Sequence, residues 1–361
     1  MILKEFNEKK PNAVLVALGN DETTEESISE LERLLDTAGA VCVARITQPK
    51  DKPDTKTYIG SGKAKELSEF IKTRYDSDDE ISLVVFDDEL SPSQIANLED
   101  ILDCPVIDRT MLILDIFAQH ATTAEGKLQV EIACLRYTAP RLIGKGAQLS
   151  RLAGGIGTRG PGESKLESDR RHLKRQISAL ESKINDLERT RSIKRARRLK
   201  SGIKTIAIVG YTNAGKSTLM NALTNAGILA EDKLFATLDP TTRKLRLPSG
   251  KEFLITDTVG FVSRLPHHLV KAFKSTLEEV KYADIIIRLV DASEKYETRM
   301  MKQIVTDKLL EELGATDKPT ITIYNKYDVA IEEDLIPKDA ISISAKTGKG
   351  IQALISNLEV V

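Results

Sequence analysis

Tryptophan is absent and aromatic residues make up only 4% of the 361-residue chain, so stacked aromatic side chains cannot be its main means of holding a nucleic acid. Cysteine is scarce too. Cys42, Cys104 and Cys134 are odd in number, far apart and set in apolar surroundings such as Val41-Cys42-Val43, which reads as reduced core residues and not a disulfide framework. Of the four histidines only His267 and His268 are neighbours, so no histidine-based metal site is suggested. No apolar run approaches the ~18 residues that span a bilayer. Met1 to Lys10 carries scattered charge without an apolar centre, unlike a signal peptide. The expectation is a cytoplasmic protein with no membrane span, monomeric when free. Hydrophobic residues at 41% and charged residues at 30% are ordinary for globular chains, and the length suggests two or three domains.

The net charge of −1 conceals a strong asymmetry. Residues 136–200 hold 18 Lys and Arg against 6 Asp and Glu, a balance of +12, which leaves the remainder at −13. A basic middle between acidic flanks is an electrostatic footprint for phosphate-bearing partners.

Three regions follow along the chain. Residues 1–140 alternate short apolar runs (Ala13 to Leu18, Ala40 to Ile46, Ile81 to Phe86) with helical spacing at Ile28, Leu31, Leu34, Leu35 and Ala38, predicting a small α/β domain with a largely parallel sheet. Ser91-Pro92-Ser93-Gln94 is a helix start with a capping box and proline in the first turn. Residues 141–200 form a linker. Its first part, 141–162, reads as a loop rich in glycine. A helix follows over about Glu163 to Arg198, with Leu173, Ile177, Leu180, Ile184 and Leu187 spaced as a coiled-coil seam. Two heptads favour a hairpin within the chain over an extended dimer. Residues 201–361 form a second α/β domain with a mixed, mostly parallel sheet.

The second α/β domain carries the chemistry. The apolar run Ile203 to Val209 leads into Gly210-Tyr211-Thr212-Asn213-Ala214-Gly215-Lys216-Ser217-Thr218 and a helical stretch, the G-x-x-x-x-G-K-S phosphate loop in its required context. Its backbone N–H groups and the helix N-terminus offer positive potential to phosphates. Lys216 reaches the β and γ phosphates, and the Ser217 hydroxyl ligates Mg2+. A strand ending in Asp257-Thr258-Val259-Gly260 supplies a carboxylate for a magnesium-bound water and a glycine N–H for the γ-phosphate. A third strand ends in Asn325-Lys326-Tyr327-Asp328. The Asp328 carboxylate can accept from guanine N1–H and the exocyclic amine, groups that adenine does not present there. Ser344-Ala345-Lys346 can brace the base edge. GTP or GDP with Mg2+ is therefore the expected ligand set, and GTP hydrolysis the expected reaction.

Between the first two motifs, Phe235-Ala236-Thr237-Leu238-Asp239-Pro240 fits the loop that senses the γ-phosphate, with Thr237, Thr241 and Thr242 all spaced to complete a magnesium shell. The glutamine that often follows Asp-x-x-Gly to orient water is replaced by Phe261. Slow intrinsic hydrolysis follows, with the missing element supplied from elsewhere. Asn213 either braces its loop or helps hold K+ beside the phosphates.

These motifs, with Tyr58-Ile59-Gly60-Ser61-Gly62-Lys63 and the run from Gly154 to Glu163, resemble the HflX family of GTPases over essentially the whole chain. The resemblance places the magnesium-ligating threonine at Thr237 and the guanine contacts at Asn325, Lys326, Asp328, Ser344 and Ala345. It implies that the N-terminal domain and linker bind the large ribosomal subunit, in splitting or rescue of ribosomes, and that the N-terminal domain can act on adenine nucleotides. Many members carry a further C-terminal domain that would lie beyond Val361.

The tract Arg189 to Lys200 is either a solvated helix face or a surface for ribosomal RNA, gripped by shape and phosphates. An RNA-remodelling or RNA-modifying enzyme regulated by its GTPase domain is the alternative function, although residues 1–140 show no paired carboxylates or activated cysteine. Gly155-Ile156-Gly157-Thr158-Arg159-Gly160 matches a dinucleotide fingerprint but follows no convincing strand, so it is set aside.

Overall fold

A computed structural model describes residues 10–50, 52–75, 79–153, 161–200, 202–224, 234–235, 238–262 and 274–360. The chain divides into two compact units: Met1–Gln119 with Lys127–Asn185, and His120–Gly126 with Asp186–Val361.

The first unit is built on β1 (Asn12–Leu18), β2 (Val41–Gln48), β3 (Ile81–Phe86) and β4 (Val106–Asp108), all parallel in the order β2-β1-β3-β4. The inner strands β1 and β3 are apolar almost throughout, as strands covered on both faces must be, while the edge strand β2 is only half-buried. Helices α1 (Glu22–Thr37), α2 (Ser61–Lys72), α3 (Pro92–Leu102) and α4 (Arg109–His120) fill the connections. The expected capping box at Ser91 and Gln94 is present. Val14, Val16, Ile59, Leu67, Val84, Phe86 and Leu98 form the core, each contributing roughly 1.5–3 kcal/mol by burial.

Helix α5 (Ala124–Ala153) and helix α6 (Pro161–Lys200) correct the expected linker. The glycine-rich loop was placed at 141–162, yet α5 continues to Ala153 with Pro140, Gly144 and Gly146 inside it, and α6 starts at Pro161. The leucines, alanines, lysines and arginines around those glycines favour helix, and each glycine costs only about 1 kcal/mol against them. The dinucleotide-like run 154–160 lies outside the described residues. On α6 the seam is real: Leu180 is buried and Leu173, Ile177, Ile184 and Leu187 are half-buried, while nearly every residue between them is exposed. Arg136 of α5 pairs with Glu181 of α6, and Arg191 with Glu125. Position rises along one helix as it falls along the other, so the two run antiparallel.

The second unit holds β5 (Lys204–Gly210), β6 (Thr241–Arg246), β7 (Glu252–Asp257), β8 (Ile285–Asp291), β9 (Thr320–Asn325) and β10 (Ile341–Ser342) in the order β10-β9-β8-β5-β7-β6. Every pairing is parallel except β6 with β7, an antiparallel hairpin with its turn at Ser249-Gly250. Helices α7 (Lys216–Thr224), α8 (Lys274–Tyr282), α9 (Tyr296–Glu312) and α10 (Ile351–Val360) belong to this unit. Ile206, Ile208, Leu219, Phe253, Ile287, Ile323 and Leu354 make its core. In such a sheet ligands bind beyond the carboxyl ends of the strands, which is where the chemistry-bearing motifs fall.

Candidate nucleotide site

Strand β5 ends at Gly210 and the chain wraps into α7 through two left-handed residues, Asn213 at φ 61° and Gly215 at φ 92°. A β-carbon on Gly215 would overlap the Asn325 side-chain amide, so both its dihedral and its neighbour demand glycine. Lys216 opens α7, is buried, and donates from Nζ to the carbonyls of Gly210 at 3.2 Å and Tyr211 at 2.9 Å. Burial pushes its ammonium down to about 8, against the upward pull of the Asp257 carboxylate. Ala214 is buried in the core below the loop, and Thr218 is half-buried in the first turn of α7.

Asp257 ends β7, fully buried, and its Oδ2 accepts from the Ser217 hydroxyl at 2.7 Å. Thr258 donates to the carbonyl of Ile208 at 2.6 Å. Val259 is buried, and beyond Gly260 the chain runs alongside the phosphate loop: Phe261 N donates to Gly210 O at 3.1 Å and Thr212 N to Phe261 O at 2.6 Å. A β-carbon on Gly260 would come within 2.8 Å of Lys216 Nζ and of Thr212 Cα. Phe261 and Val262 are both buried, so no polar side chain stands where a water-orienting glutamine would.

The segments at Asn325 to Asp328 and at Ser344 to Ala345 are tied to the same loop. Asn325 ends β9; its Nδ2 donates to Ala214 O at 2.8 Å and its Oδ1 accepts from Ala345 N at 2.9 Å. Lys326 is left-handed at φ 61°, and its ammonium lies 2.7 Å from Asp291 Oδ2. Asp328 is exposed, and a hydrogen bond from the buried Ser344 hydroxyl holds its carboxyl below the usual range. The structure thus brings Gly210 to Thr218, Asp257 to Gly260, and Asn325, Lys326, Asp328, Ser344 and Ala345 to one edge of one sheet.

The γ-phosphate loop is only partly described. Phe235, left-handed at φ 57°, and Leu238 are buried, Asp239 is half-buried, and Ala236 and Thr237 lie outside the described residues. Of the competing threonines, Thr241 and Thr242 belong to β6, and the Thr242 hydroxyl is bonded to that of Thr256 at 2.9 Å.

One acidic residue escapes sequence reasoning, and so do the partners of another. Asp291 anchors Lys326; the signal was an apolar run, Ile285 to Val290, ending in a carboxylate as β7 does. Asp239 carries hydrogen bonds from Thr122 and Thr123, more than a hundred residues away, which no local pattern announces.

Family models described as GTP-binding GTPase N-terminal, GTP-binding GTPase Middle Region and 50S ribosome-binding GTPase match residues 25–118, 120–198 and 205–326. The GTPase HflX of Lacrimispora saccharolytica is 52% identical over 99% of this chain and 85% of its own. That of Escherichia coli is 43% identical over 92% and 78%. Among solved structures, a GTP-binding protein from the archaeon Sulfolobus solfataricus in complex with GDP is 25% identical, covers 97% of each chain and superposes with a TM-score of 0.50. Among the described residues no helix is long and apolar enough to cross a membrane. Identity at this level, sustained across nearly all of the chain and most of its relatives' length, shows that the protein belongs to the HflX family of GTPases and hydrolyses GTP to GDP and phosphate.

Proposed function

We propose that the protein is a cytosolic GTP-driven switch that associates with the large ribosomal subunit and acts in splitting or rescue of ribosomes. The observation that carries the nucleotide part is the Asn325 side-chain amide, hydrogen-bonded to Ala214 of the phosphate loop on one side and to Ala345 on the other, next to the Ser344 that bonds Asp328. It joins a base-recognition pocket to a phosphate cradle. Gly210, Tyr211, Thr212, Asn213, Ala214, Gly215, Lys216, Ser217 and Thr218 wrap the phosphates. Asn325, Lys326, Asp328, Ser344 and Ala345 read guanine.

The residues present fit magnesium. A hydroxyl and a buried carboxylate 2.7 Å apart are the hard oxygen donors that ion takes, few in number because it keeps waters and phosphate oxygens. Ser217, Asp257 and Thr237 would hold it, and when bound it neutralises charge developing on the phosphates. Lys216 exchanges its two loop carbonyls for phosphate oxygens. The Gly260 N–H meets the γ-phosphate, while buried Phe261 and Val262 keep bulk water from that side. Among the described residues no polar side chain follows Gly260 to orient the attacking water, which favours slow intrinsic hydrolysis. K+ beside Asn213, or a ribosomal contact, supplies the missing stabilisation.

Ribosome association is supported by the description of the matched family model and by the +12 balance of residues 136–200, which suits phosphate contacts on structured RNA. GTP turnover measured with and without large ribosomal subunits, in potassium and in sodium, tests the proposal. Turnover should rise with subunits, most in potassium. Equal rates under all four conditions overturn it.

A further inference from the structure

We infer that Asp239 is a positioning residue for GTP hydrolysis, its carboxylate mooring the loop that carries Thr237 to Thr122 and Thr123. This deepens the proposed role of Thr237 and rests on it. Asp239 Oδ2 accepts from Thr122 N at 2.9 Å, Thr122 Oγ1 at 2.7 Å and Thr123 N at 2.8 Å, and Oδ1 accepts from Thr123 Oγ1 at 2.5 Å. Burial alone would raise this carboxyl, but the hydrogen bonds from Thr123 and Thr122 prevail and lower it.

The moorings are themselves held. Thr123 Oγ1 accepts from Gly126 N at 3.0 Å, capping the start of α5 with the lone pairs its donated proton leaves available. Glu125 pairs with Arg191 at 2.6 Å. A β-carbon on Gly126 would overlap Asp239 Oδ1, so glycine at 126 is what lets the carboxylate approach. His120–Gly126 groups with the nucleotide-binding unit although the sequence on either side of it does not. Four donors from such a segment converge on one carboxylate two residues beyond Thr237.

The physical role follows from entropy. Ordering a backbone segment costs entropy when the hydrolytic state assembles. Fixing Asp239 through Thr122 and Thr123 and burying Leu238 meets part of that cost beforehand. Nucleotide affinity set by the phosphate loop and Asp328 does not depend on this mooring, whereas assembly of the hydrolytic state does.

The test compares Asp239→Ala, Thr123→Val and Thr123→Ser with the wild-type full chain. The readouts are kcat and KM for GTP, the Mg2+ concentration for half-maximal rate, GDP affinity by calorimetry, and amide exchange over 120–126. Asp239→Ala and Thr123→Val should lower kcat on the order of 10- to 100-fold, raise the Mg2+ requirement and speed exchange at Thr122 and Thr123, with GDP affinity unchanged. Thr123→Ser, which keeps the hydroxyl, should match wild type. Wild-type kcat and Mg2+ requirement in both Asp239→Ala and Thr123→Val overturn the inference, as does a loss of GDP affinity equal to the loss of kcat. Thr237→Ala separates the two readings: a normal Mg2+ requirement there defeats the assignment of Thr237 itself, whereas a raised one beside a normal Asp239→Ala defeats only the mooring.

Discussion

Lys216 donates to two carbonyls of its own loop, an arrangement that keeps the buried ammonium satisfied. Lys216→Ala should abolish measurable GTP and GDP binding in calorimetry; binding within a few-fold of wild type would show the phosphates are held elsewhere. Asp328→Asn replaces an acceptor with a donor toward the guanine edge. It should shift preference from GTP toward XTP by ~100-fold or more, the scale of a lost polar match, measured as the ratio of the two turnover efficiencies. In the first unit, the Arg109 guanidinium, 2% exposed, lies 3.0 Å from Asp87 Oδ1 and 3.2 Å from Glu30 Oε1 and donates to Ser27 O at 2.8 Å. Removing Asp87 strips the buried guanidinium of its nearer and more deeply buried carboxylate and leaves only Glu30 to balance it. Asp87→Ala should destabilise the chain by about 3–5 kcal/mol in chemical denaturation, and a change below ~1 kcal/mol would be at odds with burial.

At the scale of elements, caps and periodicity carried most of the reading. Ser91 was legible as a cap because serine, proline and glutamine each satisfy a separate backbone need at a helix start. Ser91→Ala should cost about 1 kcal/mol in thermal or chemical unfolding. Asp21 caps α1 and its carboxyl is lowered, chiefly by the Thr24 hydroxyl. A lowered folded value means the contribution is full above the unfolded 3.8 and is lost as pH falls through the folded value. The Thr24 amide should therefore exchange faster in acid relative to wild-type amides deeper in α1, and a flat ratio would refute the cap. The 141–153 stretch was misread because glycine was given more weight than its helix-forming neighbours. Just before it, Arg136 of α5 pairs with Glu181 of α6, a contact between distant residues that has no local sequence mark. For the same reason Asp239 read only as part of a nucleotide loop: its partners lie 116 and 117 residues away.

Across the whole molecule, β5, β7 and β9 each deliver a motif at the carboxyl edge of one sheet, although they stand across it in the order β9-β8-β5-β7 and not in their order along the chain. The glycine-anchored and carboxylate-ended motifs are therefore readable without coordinates. The basic middle belongs at this scale, because charge over 65 positions acts through its sum. Reversing Arg195, Arg197 and Arg198 to Glu should weaken binding to ribosomal RNA and flatten its dependence on salt by roughly 0.7–0.9 per lost phosphate contact. Intrinsic GTP turnover should stay the same. Unchanged RNA affinity across a salt series would assign that tract to solvent. The side-chain amide of Asn325 has a consequence of its own. Because one rigid plane fastens the phosphate loop at Ala214 and the segment at Ala345, a ligand that settles either segment pre-sets the geometry of the other. Guanosine and pyrophosphate, offered as separate fragments, would then each improve the other's hold, and an Asn325→Ala chain would bind the two with indifference.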